Sequence, residues 1–287
     1  HFYGFSGGQM NSFTGAGHVE WQYDGNIFQN TDLPQDFYST NYFTNYAIKF
    51  MTEAIKKDKP FFSYIAYNAP HTPLNAPQHN VRKYYNPAKG VNVYKEGWEK
   101  LRVKRLERLK AIGLLDSSVQ LSDTGVEIPD WELLPDTAYN EWEMQKEFEC
   151  LSRSAFAGMV DNIDENVGRI VKFLNDPNKD GNTDDSKLDN TIIIFVSDNG
   201  GCYAGLHTKR NALPWSKTNG GFTTNYGWGT LSNTPFRYYK HASHEGAIRS
   251  PFIFHWPSGL KLKPGSINNT MLRIWDFYPT FIELAGT

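Results

Sequence analysis

The chain has 287 residues, a net charge of −2 and a pI of about 6.5. That length suffices for one large α/β domain. The balanced charge, with no Lys/Arg stripe, argues against nucleic acid, and no apolar run approaches the roughly 20 residues a membrane-spanning helix needs. Aromatic residues make up 15%, including 8 Trp and 16 Tyr; this suits a carbohydrate or aryl groove and equally the filling of a large core. The two cysteines, Cys150 and Cys202, provide no disulfide framework.

In chain order, residues 1–35 are rich in Gly, Asn and aromatics and read as loops with short strands. Phe37–Lys57 is predicted helical, with Tyr46, Phe50, Met51, Ala54 and Ile55 at helix spacing, and Pro60 ends it. Phe61–Tyr67 (FFSYIAY) reads as a buried strand running into Asn68-Ala69-Pro70-His71-Thr72-Pro73. The prolines stiffen the backbone on both sides of His71, and a rigidly held imidazole can bind an oxyanion or protonate a leaving group; His71 also fits an ordinary surface loop. Residues 74–140 form a long excursion with a basic amphipathic helix over Gly97–Leu115, of the kind that often makes a lid or rim. Glu141–Leu174 has the longest helical pattern. Asp161, Asn162, Asp164 and Glu165 on it have the composition of metal ligands, but are read as its solvated face.

Asp176–Asp184 matches the first half of an EF-hand loop, D-x-[DN]-x-[DN]-G, but Lys187 stands where the bidentate Glu belongs. It reads as a polar connection with a partial motif. Thr191–Val196 follows as an apolar run without alternation, expected to be a strand buried on both faces. It ends on Ser197-Asp198-Asn199-Gly200-Gly201. A carboxylate and an amide oxygen at the carboxyl end of a strand suit a hard cation such as Ca²⁺ or Mg²⁺, and the same residues also favour a plain turn. Residues 202–230 read as a loop. Ser232–Pro251 (SNTPFRYYKHASHEGAIRSP) then concentrates Arg237, Lys240, His241, His244 and Arg249, and a helical phase would put Lys240 and His244 on one face. Phe252–His255 is a third strand candidate, and Trp275–Ala285 a terminal helix.

APHTPL at 69–74, VSDNGG at 196–201 and the Ser232–Pro251 segment together resemble the sulfatase family, most closely the bacterial arylsulfatases of the alkaline-phosphatase superfamily. HFYGF at the start, GWEKLRVKRLERLKAIG at 97–113 and WDFYPTFIELAG at 275–286 extend the likeness nearly end to end. The resemblance implies an α/β fold with a largely parallel mixed sheet flanked by helices. It also implies hydrolysis of a sulfate ester by a formylglycine nucleophile, with Ca²⁺ holding the sulfate. Carried over by motif, Asp198 and Asn199 are Ca²⁺ ligands, Lys240 binds a sulfate oxygen, and His71 contacts the sulfate and the bridging oxygen. The substrate implied is a sulfated small molecule or glycan, and the location periplasmic or secreted.

The Cys/Ser-x-Pro-x-Arg nucleophile motif is absent from the 287 residues, as are the paired Asp residues of the first strand and the C-terminal subdomain. Ala247 replaces the second Gly of HEGG. The chain is therefore expected to be the central and late part of a sulfatase catalytic domain, incomplete and inactive alone, with sheet edges left open to aggregation. Two competing functions share these motifs. One is a phosphonate or phosphodiester hydrolase of the same superfamily. The other is a catalytically dead, Ca²⁺-dependent glycan-binding protein.

Overall fold

A computed structural model describes residues 1–136, 145–203, 212–218 and 222–286. The chain opens with an antiparallel meander of β1 (Tyr3–Met10), β2 (Gly17–Tyr23) and β3 (Asn26–Phe28). Asp24 and Gly25 link β2 to β3 with φ of 48° and 84°. Asp-Gly with both residues left-handed is the hairpin turn whose twist matches that of the strands. Trp21, 1% exposed, centres this layer against Met10, Phe37 and Phe43. The hydrophobic segment thus supplies its own small core, to which helix α1 (Ser39–Lys56) contributes Phe43.

The chain's long axis is α4 (Lys146–Asn175), 30 residues or about 45 Å of helix. Its apolar stripe does not end on one partner. Ala155, Met159 and Ile163 pack with Ala69, Leu74, Ala76 and Val81, the last from the short helix α2 (Gln78–Val81). Ile170, Phe173 and Leu174 pack with Ala47 and Met51 of α1. Gly158 lets the two elements approach closely at the first contact, where a Cβ would lie 3.0 Å from the Val81 nitrogen. The expected solvated face of α4 is only partly so: Asp164 and Glu165 are exposed, but Asn162 is buried and Asp161 holds Asn80 and Lys83.

The described part of the 74–140 excursion, residues 74–136, is built into the core rather than laid over it. After the β4–β5 pair (Tyr85–Asn86 with Val91–Asn92), helix α3 (Gly97–Ala111) brings Trp98 against Trp131 and against Trp228 of α5 (Tyr226–Ser232). The three indoles meet edge to face at centroid distances of 4.8, 5.2 and 5.6 Å, the arrangement the ring quadrupoles favour.

β6 (Ile193–Val196) pairs antiparallel with β7 (Phe252–His255), with Val196 opposite Phe252. Between them lie α5 and the short helix α6 (Glu245–Ile248), and α7 (Phe277–Leu284) follows β7. Helices and sheets together make an α/β chain, although every ladder among the described residues is antiparallel. Two strand expectations are corrected. Phe61–Tyr67 forms no strand, and Phe62 and Tyr64 are 74% and 84% exposed. Apolar composition favours extension, but a strand exists only where a second backbone accepts its hydrogen bonds. β6 forms, but Phe195 and Val196 are 41% and 38% exposed, so it is not buried on both faces. No helix among the described residues is long and apolar enough to cross a membrane.

Candidate functional site

The turn after β6 is locked by three neighbours. Ser197 Oγ donates to the Asn199 carbonyl at 2.8 Å, and Asn199 Nδ2 to the Gly200 carbonyl at 2.9 Å. Asn199 is half-buried and the adjacent Asp198 is exposed. Gly200 N–H donates to the Ala247 carbonyl at 2.7 Å. A Cβ at Gly200 would lie 1.8 Å from the Gly246 carbonyl oxygen, and one at Gly246 would lie 2.1 Å from that of Tyr238. Gly200 thus leaves room for the HEGA backbone, and Gly246 for the backbone of Arg237 and Tyr238.

Asn233, which the sequence reading passed over, closes the clamp. Its Oδ1 accepts from Gly201 N–H at 2.8 Å, while its Nδ2 donates to the carbonyls of Gly201 and Gly229, both at 2.9 Å. The available signal was the pair Asn225 and Asn233 around a short helical run: Asn225 caps α5 through Trp228 N–H, and Asn233 ends it.

Lys240 is tied to the same turn, its N–H donating to the Gly201 carbonyl at 3.1 Å. The helical phase expected for Lys240 and His244 is not adopted. The backbone turns here through Tyr238 and His241, whose φ values of 64° and 80° are left-handed. Both flank Lys240, and strain of this kind persists where surrounding structure imposes it. The fold also sorts the five cations. Arg237 pairs with Asp123 at 3.0 Å and Arg249 with Glu245 at 3.1 Å. His244 lies against the Tyr238 ring, 4.5 Å between centroids, and His241 is exposed. Lys240 is half-buried and makes no ion pair among the described residues. Beside it the Cys202 thiol is pushed up by burial and partly pulled back by the Lys240 charge. Nearby, Tyr203 stacks on Tyr226 at 4.2 Å between centroids and meets Tyr239 edge-on at 4.7 Å.

His71 sits on a loop pinned from several sides. Leu74 N–H donates to Phe222, Ala76 N–H to Pro214, and Tyr38 OH to the Asn75 carbonyl at 2.9 Å. The Ala69–Pro70 and Thr72–Pro73 bonds are both cis. His71 Nδ1 lies 2.8 Å from the Thr72 carbonyl, which can only accept, so Nδ1 carries the hydrogen and Nε2 is left for a partner. The structure thus brings Asp198, Asn199 and Lys240 onto one turn; no hydrogen bond joins His71 to them among the described residues.

Asp198 and Asn199 offer oxygens of the kind a hard cation takes, but two donors fall short of the about six to eight of a Ca²⁺ shell. No group of three or more His, Cys, Asp or Glu among the described residues could hold a metal. In the partial EF-hand loop, Gly181 N–H donates to Asp176, Asp180 N–H to Asn178, and Asn182 N–H to Asp180. Its polar groups thus serve the loop itself.

The sulfatase family model matches residues 1–287. An arylsulfatase of Klebsiella aerogenes is 26% identical over the whole chain, which spans 60% of that protein. An uncharacterized sulfatase of Schizosaccharomyces pombe is 31% identical over 88% of the chain, which spans 44% of that protein. Among solved structures, Ps i-CgsB in complex with k-i-k-neocarrahexaose superposes with a TM-score of 0.52 at 24% identity, over 93% of this chain and 37% of its own. That likeness supports the fold alone, an alkaline-phosphatase-like α/β architecture. With the whole chain matched and the Asp-Asn-Gly-Gly turn, the clamp and Lys240 assembled at one place, the chain belongs to the sulfatase family.

Proposed function

We propose that this chain contributes the cation-holding turn, the sulfate-binding lysine and the leaving-group histidine of a sulfuric ester hydrolase of arylsulfatase type. The observation that carries the reading is Lys240: of the three Lys and Arg side chains between 237 and 249, it alone has no carboxylate partner among the described residues, and its backbone is bonded to the Asp198–Gly201 turn. A lysine with no carboxylate partner among the described residues, its backbone bonded to the turn that carries Asp198 and Asn199, is suited to an anion bridged to a cation. Lys240 Nζ binds a sulfate oxygen and stabilises the charge that builds on it. Asp198 and Asn199 would supply two of the oxygens that hold Ca²⁺, which would add positive charge against the sulfate.

His71 serves the departing alcohol. As the S–O bond breaks, the electron pair goes to the bridging oxygen, and protonated Nε2 gives that oxygen its hydrogen while Nδ1 stays on the Thr72 carbonyl. Neither cysteine here fits the formylglycine that would supply the nucleophile. Cys150 is 1% exposed inside the tryptophan cluster, and Cys202 sits in GCYAG without the modification motif. The isolated 287 residues are accordingly inactive. The ester is carried on an aryl or saccharide alcohol, and the location is periplasmic or secreted.

The test is hydrolysis of 4-nitrocatechol sulfate by the protein carrying this chain. Lys240→Met is expected to lower kcat/KM by roughly 10²–10³-fold, the scale for loss of one charge-stabilising group. Wild-type rates in Lys240→Met, or a preference for the corresponding phosphodiester, would refute the assignment.

A further inference from the structure

Arg153, in the middle of α4, is 6% exposed. A guanidinium is a permanent charge with donors only, and buried charges in proteins are paired or bound to ions. Arg153 makes no ion pair among the described residues. It donates from Nη1 to Ser232 Oγ at 2.8 Å and also meets the Tyr94 side chain, a neutral partner, while its Nε is buried with no partner. The rest of the group faces rings, its central carbon lying 4.5 Å from the Phe156 centroid, 5.7 Å from Tyr94 and 6.0 Å from Trp228. Glu149, one turn earlier on the same helix, is fully buried but gives its Oε2 to Asn225 and Trp228. Aromatic faces offset part of the desolvation of a cation without neutralising it.

The hydrogen bond from Arg153 to Ser232 leads to the site. Ser232 Oγ gives its own hydrogen to the Trp228 carbonyl at 2.9 Å, so it meets Arg153 with a lone pair. Ser232 also backs directly on the turn: a Cβ at Gly201 would lie 2.7 Å from Ser232 Cβ. Gly201 in turn accepts from Lys240 N–H. One serine and one glycine therefore separate the buried guanidinium from the residue that carries the uncompensated ammonium. Two cations placed so, neither matched by a carboxylate, call for an anion between protein and solvent.

We propose that Arg153 is a positioning residue for the anion site, a buried positive charge that strengthens sulfate binding from behind the Gly201–Ser232 contact without touching the ligand. The inference rests on the reading of Lys240 as the sulfate-binding cation. Arg153 has a second effect: it holds Ser232, and through the adjacent Asn233 the clamp on Gly201.

The experiment is calorimetric titration of the protein carrying this chain with inorganic sulfate at low millimolar concentration and constant ionic strength, for wild type, Arg153→Met, Arg153→Lys and Lys240→Met. Arg153→Met fills the same aromatic cage without charge, and replacing a buried charge by an apolar side chain is often neutral or stabilising. It is expected to match or exceed the wild-type Tm in chloride while binding sulfate about tenfold more weakly, with Arg153→Lys restoring most of the affinity. Sulfate binding by Arg153→Met equal to wild type overturns the proposal, as does wild type showing no sulfate binding. If Arg153→Met does not fold, Arg153→Lys decides: retained affinity supports the charge, and a folded Arg153→Lys with the affinity lost shows that packing was the only role. Lys240→Met separates the two readings. Full binding in that variant together with loss in Arg153→Met removes the role of Lys240 and leaves that of Arg153.

Discussion

Replacing Asn233 by Ala removes three hydrogen bonds, two that fasten Gly201 to the end of α5 and one to Gly229 within α5. Asn233 is 7% exposed, so water cannot readily replace the lost partners. At about 1 kcal/mol net for each bond, the loss is about 3 kcal/mol. For a chain of this size that corresponds to a fall in Tm of roughly 6–12 °C. Asn233→Asp sharpens the test. Its first oxygen still accepts from Gly201 N–H, but its second faces the carbonyls of Gly201 and Gly229 with no hydrogen to give. A carboxylate there is desolvated and repelled, so its pKa in the folded state rises above the unfolded value. The penalty is then absent at low pH, where the carboxyl is protonated and can donate, and develops as pH rises through the carboxylate range. The assay is urea unfolding followed by circular dichroism, with both variants compared with wild type at pH 4 and pH 7. Asn233→Asp is expected to be the less stable variant at pH 7 and to gain on Asn233→Ala toward pH 4. A loss below about 1 kcal/mol for Asn233→Ala, or no pH-dependent difference between the two, would show that the clamp does not hold the turn.

The left-handed His241, with φ of 80° and an exposed side chain, makes a complementary prediction. His241→Gly relieves a conformation costing about 1–2 kcal/mol but loosens the unfolded chain, for an expected gain of zero to about 1 kcal/mol in urea unfolding; clear destabilisation would mean that the imidazole contributes a contact of its own. Burial raises the Cys150 thiol from 9.0 to about 11. Its protonated form is therefore favoured by folding, and the stability this gives is complete below pH 9 and lost as pH rises toward 11. A thiol reagent at pH 8 should modify half-buried Cys202 in the native protein and Cys150 only after unfolding; equal rates would contradict this packing.

The sequence alone determined the features that depend on short-range rules. The Asp24-Gly25 turn, the periodic apolar face of α4, and the strand at Ile193–Val196 follow from residue types within one segment, as do the oxygen donors of Asp198 and Asn199. The family motifs were equally visible, because each is a contiguous run. Tertiary structure decided everything that needed a partner from elsewhere in the chain. Phe61–Tyr67 has the composition of a strand but, among the described residues, no strand that pairs with it, and 74–136 enters the core because Trp98 and Trp131 meet Trp228. Five cations between 237 and 249 look alike in sequence; only the positions of Asp123 and Glu245 show which of the arginines are neutralised and that Lys240 is not. The role of Asn233 was hidden for the same reason, since its partners Gly201 and Gly229 become neighbours only when β6 and α5 are packed together.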